Sequence, residues 1–160
     1  MSARTIAVST LAVGILSAGP ALAGPKIYSS GTTTATVNGS VESNINQNRD
    51  PWVAQVFSTG GECLRIAVTV QGADLEATLV SPSGRTWQDD DNNGSLRPLI
   101  KAQTPVGERG WYPLVFHSWS GSNINADFTF TVQRGTTGGA LCSPPTPPRI
   151  SAQAPKAQGV

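Results

Sequence analysis

The sequence predicts an all-β fold: an antiparallel, jelly-roll-like β-sandwich of about eight strands. Three observations predict it. Apolar residues alternate at period two through most of the middle of the chain, most clearly at Leu64, Ile66, Val68 and Val70. Turn formers punctuate that alternation at short intervals, as in Ser58-Thr59-Gly60-Gly61 and Ser81-Pro82-Ser83-Gly84. Beyond the N-terminal leader no window carries a helical stripe.

The leader comes first. Arg4 precedes an apolar stretch from Ile6 to Ala18, then Pro20 and Ala21-Leu22-Ala23, the small-residue pattern of a cleavage site. The stretch is shorter than the ~20 residues that cross a hydrocarbon core, so residues 1–23 read as a secretory signal cut after Ala23, not as an anchor. No membrane span is expected after cleavage. With no twin Arg and no Cys at the cut, neither the Tat route nor a lipid anchor is indicated. The expected location is secreted or periplasmic. Residues 24–31 read as a flexible N-terminal segment and residues 32–142 as the sandwich domain.

Within the domain, Ala35, Val37 and Val41 share a strand face, with Gly39 as a gap. Trp52 to Phe57 forms a short strand. Leu64 to Val70 sets its aliphatic residues one way and Cys63, Arg65, Ala67 and Thr69 the other. Leu75, Ala77 and Leu79 line another face, and Trp87 lies on a short strand before an acidic loop. Pro98 to Gln103, Gly110 to Trp119 and Ala126 to Arg134 complete the set, with Phe128, Phe130 and Val132 facing inward. Pro113 has no N–H for a ladder, so its strand is expected at an edge or with a bulge there, and a sheet edge accepts an extended partner peptide. Residues 143–160 carry Pro144, Pro145, Pro147, Pro148 and Pro155 and little to bury, and read as a disordered Pro-rich tail.

Cys63 and Cys142 are the two cysteines, and an even count in an exported chain reads as a disulfide. Closing a loop of about 80 residues stabilises by roughly 4.5 kcal/mol on the chain-entropy account. With no Cys-x-x-Cys and no Cys/His cluster, zinc and thioredoxin-type chemistry are not indicated. The formal net charge is +1 and falls to zero once Arg4 is removed, so long-range attraction to nucleic acid or anionic lipid is not expected.

The order of these elements resembles the bacterial pre-peptidase C-terminal domain. The residues that carry the likeness are Phe57, Gly60, Leu64 to Val70, Asp74-Leu75, Pro82, Gly84, Asp89 to Gly94, Gly110, Tyr112 and Phe128 to Val132, within residues 33–134. The resemblance implies a jelly-roll-like sandwich without catalysis of its own, usually appended to secreted hydrolases, some members binding calcium or an extracellular polymer. The chain departs from that pattern in its Cys63–Cys142 pair and in having no enzyme ahead of the sandwich.

Two constellations stand out. Asp89, Asp91 and Asn93 alternate before Gly94, which is how oxygen ligands begin a calcium loop. Position twelve of an EF-hand would fall on Ile100, so that motif is excluded, and a solvated connection rich in turn formers is the competing reading. Tyr112, Leu114 and Phe116 share one face of their strand, and Trp111, Val115, His117 and Trp119 the other; the resemblance implies that the Tyr112 face points inward, which leaves Trp111, His117 and Trp119 toward solvent. Flat aromatics beside polar groups suit sugars or peptides, although covering chain would explain the two Trp equally well. His117 is the only histidine, and Ser118 and Ser120 are too near it in sequence to complete a triad. The expected role is therefore a non-enzymatic accessory or binding module for an unidentified extracellular polymer or protein. The rivals are a calcium-stabilised glycan- or matrix-binding module and, behind it, a small hydrolase or hydrolase inhibitor.

Overall fold

A computed structural model of the chain describes residues 25–28, 35–43, 52–119 and 124–150. In chain order the strands are β1 (Lys26–Ile27), β2 (Ala35–Ser43), β3 (Trp52–Ser58), β4 (Glu62–Gln71), β5 (Leu75–Val80), β6 (Arg85–Asp89), β7 (Leu99–Gln103), β8 (Gly110–Ser118), β9 (Ile124–Thr136) and β10 (Arg149–Ile150). A 3₁₀ turn at Ala140–Cys142 precedes β10. Eight of the strands are longer than two residues, which matches the expected number. They form a six-stranded sheet, in the order β1-β3-β8-β5-β6-β10, and a four-stranded sheet, in the order β2-β9-β4-β7.

The alternation produces two apolar faces pressed together. Leu75, Ala77, Leu79, Tyr112, Leu114 and Phe116 come from one sheet, and Leu64, Ile66, Ile100, Phe128, Phe130 and Val132 from the other; all are buried. Each such large side chain contributes about 1.5–3 kcal/mol relative to exposure. Trp52 closes the aromatic part of the core, its ring edge-on to Phe128 at 5.4 Å and to Phe130 at 5.5 Å. The Ser81–Gly84 turn forms as its residues predict: Gly84 donates its N–H to the Ser81 carbonyl at 2.9 Å and takes φ +84°, a conformation glycine adopts without cost.

Four expectations need correction. Val70 does not join Leu64, Ile66 and Val68 inside; it is 60 % exposed, because a bulge between Val68 and Val70 shifts the register against β9. β8 is an inner strand over most of its length, so the edge expected at Pro113 is only local: Pro113 pairs opposite Gln55 of β3 but lies just beyond Leu79–Leu114, the last rung with β5, where one side of the strand is open and no N–H is required. Residues 24–31 are not loose throughout, since Lys26–Ile27 pairs parallel to Gln55–Val56 of β3, the one parallel pairing of strands among the described residues.

The fourth correction concerns the Pro-rich tail, which is seated as far as Ile150. The Cys63–Cys142 disulfide, with Cα atoms 5.9 Å apart, pins its start to β4. Thr146 then binds the outer edge of β7, its N–H donating to the Lys101 carbonyl and its hydroxyl accepting from the Lys101 N–H, both at 3.0 Å. Arg149 and Ile150 pair with Thr86 and Arg85 of β6. The segment therefore straps the edge of one sheet to the edge of the other, and backbone pairing outweighs its polyproline bias. Residues 151–160 and the leader, residues 1–23, lie outside the described residues.

Candidate functional site

The acidic loop between β6 and β7 is held from within. Asp89 is 6 % exposed, and its carboxylate accepts the Leu99 N–H at 2.6 Å, the Asn92 N–H at 3.1 Å and the Asn92 side-chain amide. Asn93 donates its amide to the Val68 carbonyl at 2.6 Å. Arg97 donates to the Thr69 carbonyl at 2.6 Å, and Gln71 to the Leu96 carbonyl at 2.6 Å. The loop is thus riveted to the end of β4 by side chains whose importance the sequence did not advertise.

Asp89, Asp91 and Asn93, expected as alternating ligands, have three different lives. Asp89 is turned inward as a backbone cap, Asn93 is bonded to β4, and Asp91 faces solvent. Among the described residues, no group of three or more His, Cys, Asp and Glu side chains gathers as a metal site. The charge that does accumulate is that of Asp90 and Asp91 with Asp74 from the β4–β5 turn. Partial burial, and then the negative charges of Asp90 and Asp91, raise Asp74 above the usual aspartate range.

Beside this loop lies a cleft of about 660 Å³, lined by Glu76, Asp90, Lys101 and Trp119, with Pro145 and Arg149 contributed by the strap. Trp119 is 55 % exposed at its border. Glu76, 7 % exposed, is hydrogen-bonded to His117, Nε2 to Oε2 2.8 Å, across the β5–β8 rung that joins these two residues. Ser118 is buried, on the core-facing side of β8, away from His117. Among the described residues, the arrangement brings no nucleophile beside the histidine. It can present an aromatic ring and exposed carboxylates from a stiff frame.

Trp111, His117 and Trp119 do not form one platform. Trp111 and Trp119 stand at opposite ends of β8, about 25 Å apart at ~3.3 Å per residue. Trp111 instead meets Phe57 at 5.3 Å and Tyr28 at 6.5 Å, on the outer face of the six-stranded sheet. Tyr28 could not be placed from the sequence, because only the parallel pairing of β1 brings it beside Phe57. At that same end Glu108 holds the Ser81–Gly84 turn, accepting the Ser83 N–H at 2.8 Å. Burial acts to raise Glu108, but its bonds with Ser83 and Ser81 and the nearby Arg85 charge outweigh this and lower it.

No family model matches this chain, and no curated protein does. A solved structure shares its fold. The periplasmic inhibitor of g-type lysozyme from Aeromonas hydrophila, PliG, superposes with a TM-score of 0.52 over 70 % of this chain and 96 % of its own, at 11 % identity. PliG from Salmonella Typhimurium superposes at 0.46 over 69 % of this chain and 98 % of its own, at 14 % identity. At these identities the likeness is one of fold. Among the described residues, no helix is long and apolar enough to cross a membrane.

Proposed function

We propose that this chain is an exported, non-catalytic module, periplasmic or secreted, that binds an extracellular protein and inhibits a hydrolase, with a g-type lysozyme as the first partner to test. The observation that carries the reading is the acidic end of the sandwich. Trp119, just past the end of β8, is exposed beside the acidic loop, whose own bonds are already made and which leaves Asp91 exposed and Asp90 half-exposed. A stiff loop loses little entropy on docking, and an exposed Trp is the side chain best suited to anchor an interface. Acidic groups around it favour encounter with a basic enzyme surface. Glu76 is engaged with His117 and Asp89 with the backbone of Leu99 and Asn92, and no nucleophile among the described residues stands beside them, which supports binding over catalysis.

Two further considerations support the partner class. The fold is shared with the A. hydrophila protein, itself an inhibitor of g-type lysozyme. The pre-peptidase C-terminal resemblance leads to the same place, an accessory of secreted hydrolases. The test is a turbidity assay of cell-wall lysis by g-type lysozyme with increasing amounts of the exported chain. Inhibition saturating near equimolar ratio is expected, weakened about tenfold or more by Trp119→Ala together with Asp90→Asn and Asp91→Asn. Unimpaired lysis under about a tenfold excess of the chain, with no complex by size exclusion, would sink the proposal.

A further inference from the structure

We infer that the outer face of the six-stranded sheet, at the end away from the cleft, carries a binding site for an acidic polysaccharide, formed by Tyr28, Phe57 and Trp111 with Lys26 and Arg109. The inference is independent of the hydrolase reading and concerns a different surface.

The rings form a row across β1, β3 and β8. Phe57 pairs opposite Trp111, and Tyr28 follows directly on the Ile27–Val56 pair, with its ring 5.0 Å from Phe57. Ile27 is buried and anchors the short strand, while Tyr28 is 62 % exposed. Two cations border the row: the Lys26 ammonium lies 5.5 Å from the centre of the Trp111 ring and the Arg109 guanidinium 5.4 Å from that of Phe57. Both residues are exposed, and neither belongs to an ion pair among the described residues.

That last contrast identifies the ligand. A cation held by a carboxylate has its charge cancelled. A cation held over an aromatic ring is fixed in place but keeps its charge for an incoming anion. The exposed Tyr28 ring meanwhile offers a flat apolar surface of the kind that stacks on the C–H face of a sugar. Cations flanking an exposed ring complement a chain in which each sugar ring bears one carboxylate. The site is an open sheet face rather than an enclosed pocket, which suits a polymer better than a small metabolite. A membrane surface fits less well, since two basic side chains supply too little attraction to hold one. A nucleic acid fits less well too, because a chain of formal charge +1 with an acidic opposite end lacks the required field.

The test is a fluorescence titration and affinity electrophoresis of the exported chain with polygalacturonate, in calcium-free buffer. Fully methyl-esterified pectin, phosphatidylglycerol vesicles and single-stranded oligothymidylate are run in parallel. Polygalacturonate is expected to bind, and to bind about tenfold more weakly to Tyr28→Ala and to the Lys26→Gln, Arg109→Gln double variant. The methyl ester, which keeps the rings and loses the charge, is expected to bind weakly. These exposed substitutions should leave the Tm unchanged and any lysozyme inhibition intact, while Trp119→Ala should leave polygalacturonate binding intact, so the two surfaces fail separately. Absence of polygalacturonate binding overturns the assignment, as does equal affinity in the variants, equal affinity for the methyl ester, or tighter binding of vesicles or oligothymidylate.

Discussion

His117 and Trp111 stand on the same face of the same strand, yet the two ends of β8 leave charge of opposite sign for a partner. At the His117 end, charged groups are mostly spent on the protein itself. Glu76 pairs with His117, Asp89 caps the backbone of Asn92 and Leu99, and the acidic charge left for a partner is that of Asp74, Asp90 and Asp91. At the Trp111 end Arg134 is likewise spent on Glu62 and Glu108 on Ser83, but Lys26 and Arg109 rest on aromatic rings and keep their charge. An ion pair neutralises what it positions, whereas a ring positions without neutralising. One sandwich therefore presents a stiff acidic end and an aromatic, basic face.

The largest way to break this comparison is to release the strap. Replacing Cys63 and Cys142 together with Ser removes a cross-link spanning 79 residues. A loss of roughly 4.5 kcal/mol is expected from the loop length, read as a lower denaturant midpoint. The cleft side, which the strap helps to line, should gain amide exchange, while the Tyr28–Trp111 face should not.

Next in size is Asp89→Ala, which leaves the buried Leu99 N–H without its acceptor and is expected to cost about 2 kcal/mol. A loss below about 0.5 kcal/mol would mean that the loop is not held by this carboxylate. The effect should stay at the acidic end, with polygalacturonate binding retained.

Acid sharpens the contrast further. Asp74 is raised in the fold, so its ionised form is penalised there, and that penalty is lifted as pH falls through its folded pKa toward the unfolded value of 3.8. Glu108 is lowered, so it contributes stability above its unfolded value of 4.5 that is lost as pH falls through its folded pKa. Asp74→Asn should accordingly raise the neutral-pH Tm by about 1 °C, a gain that vanishes in acid, because partly exposed charges interact weakly. Glu108→Gln should lower the neutral-pH Tm, with a deficit that shrinks in acid. Parallel pH profiles for both variants would contradict the opposite assignments.

The smallest expected effect is that of calcium. With Asp89 and Asn93 engaged by the backbone, adding calcium or EDTA should move the Tm by less than about 1 °C, and a rise of several degrees with calcium would restore the loop as a cation site.

The strand faces at Leu64, Leu75 and Phe128 were legible in the sequence because a β-strand's two-residue period is a local property. So was the Cys63–Cys142 pair, since only two cysteines exist to be joined. Val70 was misread because a bulge is set by the partner strand, and the Pro-rich segment because its two open sheet edges lie far away in sequence. The platform of Trp111, His117 and Trp119 was read with the right outward face for Trp111 and His117, and the wrong neighbours.

The amino-acid order alone thus determined the sandwich and the alternating faces of its strands, which follow from periodicity and composition within short windows. Only the tertiary structure decided that Glu76 meets His117, that Asp89 meets Leu99 and that Tyr28 meets Phe57. These meetings depend on strand order and register across the sheets, and register is settled by the packing of the whole core rather than by any one stretch of chain.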